Sequence, residues 1–108
     1  MQNTVEIITK ILEQIAQPSV VGGIEYQLVL DTERHHYQIN AVGWDGMQRI
    51  HGILVQIDLK NDLIWIQEDN TDERIAEQLV AQGIPKKKIV LAYHAPNRRP
   101  YTGYATGF

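Results

Sequence analysis

The stretch that decides the fold is His36-Tyr37-Gln38-Ile39-Asn40-Ala41-Val42-Gly43-Trp44-Asp45-Gly46-Met47-Gln48-Arg49-Ile50-His51-Gly52-Ile53-Leu54-Val55-Gln56-Ile57-Asp58-Leu59. Asp45-Gly46, near its middle, is the strongest hairpin signal in the chain, because a type I′ turn needs positive φ at both central positions. On one side of it, Tyr37, Ile39 and Ala41 share a face of a strand from His36 to Trp44. On the other side, His51, Ile53, Val55, Ile57 and Leu59 share a face, and Ile50, Leu54, Gln56 and Asp58 take the opposite one. Two such strands joined by a tight turn are antiparallel neighbours.

Working outward, Ile24, Tyr26, Leu28 and Leu30 alternate with Glu25, Gln27 and Asp31, which predicts an earlier half-buried strand. Asp31-Thr32-Glu33-Arg34 is the polar turn after it. Asn61-Asp62 turns the chain again, and Leu63 to Glu68 is a fourth strand. At the N-terminus, Val5, Ile8, Ile11, Leu12, Ile15 and Ala16 form one helical stripe within Asn3–Gln17. Asn3 with Glu6 is a capping pair, and Pro18 closes the helix. A second helix presents Ile75, Ala76, Leu79 and Val80, with Asn70 and Glu73 as its capping pair and Gly83 at its end. Lys86-Lys87-Lys88 is a charged connector into a last strand, Ile89 to His94. The tail holds Pro96, Pro100, Gly103 and Gly107. The reading is a single α+β domain over residues 1–108, an antiparallel β meander with two helices packed on one face, in the order α-β-β-β-β-α-β.

Composition narrows the chemistry. The 108 residues suit one domain, and 44% hydrophobic with 21% charged residues exclude a disordered or fibrous chain. No cysteine is present, which excludes disulfides, thiolate metal sites and cysteine nucleophiles. The ten Lys and Arg against thirteen Asp and Glu give a net charge of −3, without the basic excess of an autonomous DNA-binding domain. Apolar runs such as Ile64-Trp65-Ile66 are far shorter than a membrane span, and Met1-Gln2-Asn3-Thr4-Val5-Glu6 has no leader character. A cytoplasmic location and no membrane contact are expected.

Four histidines, His35, His36, His51 and His94, raise a metal reading, but no helical i, i+4 pair or HExxH pattern accompanies them. His35 and His36 are adjacent and point to opposite faces of a strand. The carboxylates Glu68, Asp69, Asp72 and Glu73 sit where helix capping wants them. No phosphate-binding loop or nucleophile elbow occurs. We expect no enzyme activity, no catalytic residues, no cofactor and no metal. Trp44 and Trp65 read as packing anchors.

Several local patterns then coincide. Asp31-Thr32-Glu33-Arg34-His35-His36-Tyr37, Gly43-Trp44-Asp45-Gly46, Arg49-Ile50-His51-Gly52, Ile57-Asp58 and Ile64-Trp65-Ile66-Gln67 stand in one order. Gly83-Ile84-Pro85, Ile89-Val90-Leu91-Ala92 and Tyr101-Thr102-Gly103-Tyr104-Ala105 continue it. In that order and spacing the chain resembles the XisI family, the fdxN element excision controlling factors of cyanobacteria, over nearly its whole length. Gln56 departs from the family's Val-His-Ile-Asp run, and Asp69-Asn70-Thr71-Asp72 from its usual Asp-Gly-Thr-Glu. The resemblance implies a non-catalytic accessory factor controlling site-specific excision of a DNA element. Its partners would be a XisH-like companion protein, itself similar to nuclease-like folds, and a site-specific recombinase.

The alternative is a recombination directionality factor that contacts DNA directly. Lys86, Lys87, Lys88, Arg98 and Arg99 are the candidate partner-binding residues, since they flank the last predicted strand and are expected to gather at one rim. The overall negative charge favours a protein partner over DNA, because five cations neutralise only a few phosphates. A homo-oligomer is also expected, with the Tyr101–Phe108 tail as an exchanged arm that covers a sheet edge.

Overall fold

The computed structural model describes residues 3–108. Met1 and Gln2, two of the residues read for a leader, lie outside the described residues. Helix α1 (Thr4–Ile15) starts as its capping pair predicts. Asn3 Oδ1 accepts the Glu6 N–H at 2.8 Å, and Asn3 Nδ2 donates to the Glu6 carboxylate at 3.4 Å. This occupies a donor that every helix start leaves open. Ile7, Ile8, Ile11 and Leu12 are its buried face.

Strands β1 (Val20–Val21), β2 (Ile24–Asp31), β3 (His36–Asp45), β4 (Gln48–Lys60) and β5 (Leu63–Asp69) pair antiparallel, each with the next. Helix α2 (Ile75–Ala81) follows, and then β6 (Ile89–Leu91), which lies parallel to β5. Among the described residues these make one six-stranded mixed sheet in the order β1-β2-β3-β4-β5-β6. The α+β class and the element order match expectation, with the two-residue β1 added at one edge. The parallel last pair refines the antiparallel reading. A helix between β5 and β6 carries the chain back to the end it started from, so the next strand must run the same way. Both helices bury side chains into one cluster with Tyr37, Ile39, Val55, Ile57, Ile64, Ile66, Ile89 and Leu91 of the sheet.

Strand β4 does not keep the regular alternation that its sequence suggests. Ile39 pairs with Val55 and Asn40 with Ile53, so Leu54 is the extra residue of a β-bulge. The bulge shifts the register by one, which moves His51 and Ile53 to the face opposite Val55 and Ile57. Val55 and Ile57 are fully buried, whereas Ile53 is 38% exposed. Asn70 holds the bulge: its N–H donates to Leu54 O at 2.9 Å and its Nδ2 to Ile53 O at 3.2 Å. Asn70 is held at the bulge, four residues before the Arg74 N-cap position, and does not cap the helix. Helix α2 starts later, after Arg74 in a left-handed conformation with φ 53°, and no side chain caps it. Its end follows the sequence. Gly83 has φ 100°, and Ile84 N–H donates to Leu79 O at 3.1 Å, a Schellman closure.

The β3–β4 turn falls one residue later than expected. Asp45 is still in β3, paired with Gln48, and positive φ is confined to Gly46 at 61°. This is the type II′ pattern, which asks for Gly at the first central position only. Residues 44–53 at this end of the sheet include no buried side chain. Trp44 is 53% exposed, with the Arg49 guanidinium 5.3 Å above its ring, so it is no core anchor.

The tail also differs from the exchanged arm. Ala105 forms a parallel bridge with Val90, and its N–H donates to Ile89 O at 2.8 Å. The edge of β6 is thus covered within the chain.

Candidate partner-binding surface

Lys86, Lys87 and Lys88 form a short 3₁₀ turn directly before β6, and all three are exposed. Pro85 enters it, and its carbonyl accepts the Lys88 N–H at 2.9 Å. Lys86 Nζ lies 5.6 Å from the centroid of the Tyr104 ring, a cation–π contact that ties the tail to this rim.

At the same end of the sheet, Asn61 and Asp62 take φ of 55° and 61° in the β4–β5 turn. Both residue types tolerate that region. This turn, the lysine turn and the start of α1 surround an open cleft of about 610 Å³ lined by Thr4, His35, Lys60, Asn61, Ile84 and Lys88 among others. Lys60 therefore joins the lysine rim, a residue the sequence reading missed. The available signal was its place just before Asn61-Asp62, but using it required knowing that β6 starts beside the beginning of β5.

The two arginines stand beyond the other end of β6 from Lys86–Lys88. Arg98 is exposed, whereas Arg99 is half-buried and committed to the fold. Its Nε donates to His94 O at 3.0 Å, and its two terminal nitrogens donate to Ala92 O and Thr106 O at 3.3 Å each. These carbonyls follow β6, while the lysines precede it. A three-residue strand at about 3.3 Å per residue separates the groups by roughly 10 Å. The expected single rim thus resolves into an exposed lysine cluster and a structural arginine clamp.

The helix-free face carries a separate polar cluster. Asp58 Oδ1 meets His36 Nδ1 at 2.8 Å and accepts from Gln56 Nε2 at 3.3 Å, and Asp58 Oδ2 accepts from Gln67 Nε2 at 3.1 Å. Cross-strand pairing of His36 with Asp58 brings the first two together. The other histidines are apart. His35 Nδ1 is 3.0 Å from the Tyr37 hydroxyl, His51 is exposed, and His94 packs on Tyr93 with ring centroids 4.7 Å apart. Burial raises the Tyr37 phenol above its ordinary value, with the nearby Asp31 charge adding to the effect. In the β2–β3 turn the Asp31 carboxyl lies below its ordinary value, chiefly because the Arg34 N–H donates to it, despite an opposing desolvation. Among the described residues no group of three or more potential ligands could hold a metal ion. No helix among them is long and apolar enough to cross a membrane.

The chain is similar to a XisI-like protein from Anabaena variabilis ATCC 29413, at 43% identity over 94% of each chain, with a TM-score of 0.87. It is also similar to the fdxN element excision controlling factor XisI of the same organism, at 34% identity over 94% of this chain and 90% of the other, with a TM-score of 0.74. No curated protein matches. A family model described as XisI protein matches residues 1–106. With the fold, the motifs and that match in agreement over essentially the full length, the chain belongs to the XisI family.

Proposed function

We propose that this protein is a non-catalytic accessory factor that controls site-specific excision of a DNA element, acting through a XisH-like companion protein and a recombinase. The observation that carries the reading is the 34% identity, over 94% of the chain, to a protein named as the fdxN element excision controlling factor. The chemistry of the surface is consistent with it. The run of three adjacent exposed cations, Lys86–Lys88, is small on a chain of net charge −3, which suits an acidic patch on a protein better than a phosphate backbone.

The test is an affinity pull-down with the companion protein, run beside a DNA gel-shift at two salt concentrations. The reading expects companion capture at both salts and no shift at the higher one. A DNA shift that persists at the higher salt, with no companion capture, would replace it with a direct DNA-binding factor.

A further inference from the structure

One sheet edge is covered and the other is not. At the β6 edge the tail bridges Val90 through Ala105. At the opposite edge, β1 pairs only with Ile24 and Glu25, and Ser19 O takes the Tyr26 N–H at 2.7 Å. Residues 27–31 of β2 have no neighbour on that side among the described residues.

The direction of the backbone groups follows from parity. Gly23 O and Asp31 O accept from Trp44 and His35, on the β3 side, so odd-numbered residues turn their N–H and C=O inward. Tyr26, whose N–H goes to Ser19, faces outward, and so therefore do Leu28 and Leu30. These two present the unpaired donors and acceptors of the edge. Leu28, Val29 and Leu30 are 37%, 40% and 37% exposed, a high value for large apolar residues within a strand. Edge strands normally protect such a row with charged side chains, proline or a bulge. Residues 27–31, Gln-Leu-Val-Leu-Asp, hold no proline or bulge, and their one charged residue, Asp31, stands at the end of the strand paired with Arg34.

We propose that this edge pairs with the same edge of a second copy of the chain, antiparallel, about a two-fold axis through Val29. In this register Leu28 stands opposite Leu30 of the second copy, so the outward groups of both residues form four backbone hydrogen bonds. Gln27 faces Asp31 of the second copy, an amide against a carboxylate. Centring the pair one residue earlier would set Asp31 against Glu25 and use Tyr26, whose N–H is already taken. Val29 is the midpoint of the uncovered segment, so β1 of each copy ends where the β2–β3 turn of the other begins. Leu28 and Leu30 of the two copies form an apolar quartet on the helix side. A two-strand contact of this size is small, which places the dimer in the concentration-dependent class.

The chain has no cysteine, which permits a direct test of the register. Val29 would meet itself as a non-hydrogen-bonded pair with Cα atoms about 4.5 Å apart, within the range a disulfide spans. Gln27, on the same face, would stand about 14 Å from its own copy, out of range. Under mild oxidation Val29→Cys is expected to give a covalent dimer at least about tenfold faster than Gln27→Cys. In light scattering of the 12.4 kDa chain, the parent is expected to dimerise with rising concentration. Val29→Lys, which sets two like charges face to face, is expected to raise the dissociation constant about tenfold while leaving the circular dichroism spectrum unchanged. Equal cross-linking of the two cysteine variants, or a parent that stays monomeric to high micromolar concentration, overturns the proposal.

Discussion

The guanidinium of Arg99 stands 5.8 Å from the centroid of the Trp65 indole while its nitrogens donate to three carbonyls of the segment that follows the last strand. Lys60 Nζ lies 5.5 Å from the same ring, and Trp65 Nε1 donates to Lys60 O at 3.1 Å. A cation with a planar fork of donors suits this position, and an ammonium does not reproduce it. Arg99→Lys is expected to lower stability by about 2 kcal/mol. Arg98→Lys should change it by no more than about 0.5 kcal/mol. Urea unfolding of the two variants makes the comparison, and equal small losses would mean that Arg99 is merely a surface charge.

The bulge at Leu54 gives opposite expectations for two isoleucines that a regular strand would place together. Ile57→Ala empties a fully buried position and is expected to cost about 2–5 kcal/mol. Ile53→Ala, on the other face and 38% exposed, is expected to cost under about 1 kcal/mol. Chemical denaturation of both variants decides it. Matching losses would place the two side chains on one face.

Asp31 sets an acid limit on the β2–β3 turn. Its carboxylate accepts the Glu33 and Arg34 N–H groups at 3.1 and 2.9 Å and pairs with the Arg34 side chain at 3.3 Å. A carboxyl held below its ordinary 3.8 contributes stability that is full above that value and is lost as the pH falls through the lower folded value. Asp31→Asn should therefore be less stable than the parent at pH 7, with the difference closing below pH 3.8. Thermal unfolding across that range tests it, and a difference independent of pH would assign the effect to shape and not to charge.

How far the sequence reaches can be judged from these same residues. Helix α1 was legible because its cap and its stripe are local, and β2 and β3 because regular alternation survives in them. The positions of His51 and Ile53 were not, since one extra residue at Leu54 reverses the faces without changing the hydrophobic pattern. Asn70 misled for a related reason. A residue fit to cap a helix is equally fit to clamp a neighbouring strand, and only the tertiary pairing decides which. Among the candidate partner-binding residues, Lys86, Lys87 and Lys88 are exposed together. Arg99 carries no sequence mark that separates it from Arg98, because its partners are backbone carbonyls contributed by both sides of the tail.

The lysine rim is the surface we propose to meet the companion protein. Titration calorimetry of the purified XisH-like companion against the parent chain and against the triple variant Lys86→Glu, Lys87→Glu, Lys88→Glu tests it most directly. Arg99 is left intact so that the fold is preserved. Saturable binding by the parent is expected, with a loss of at least about tenfold in affinity in the variant and unchanged urea unfolding. Equal binding by the two proteins would contradict it.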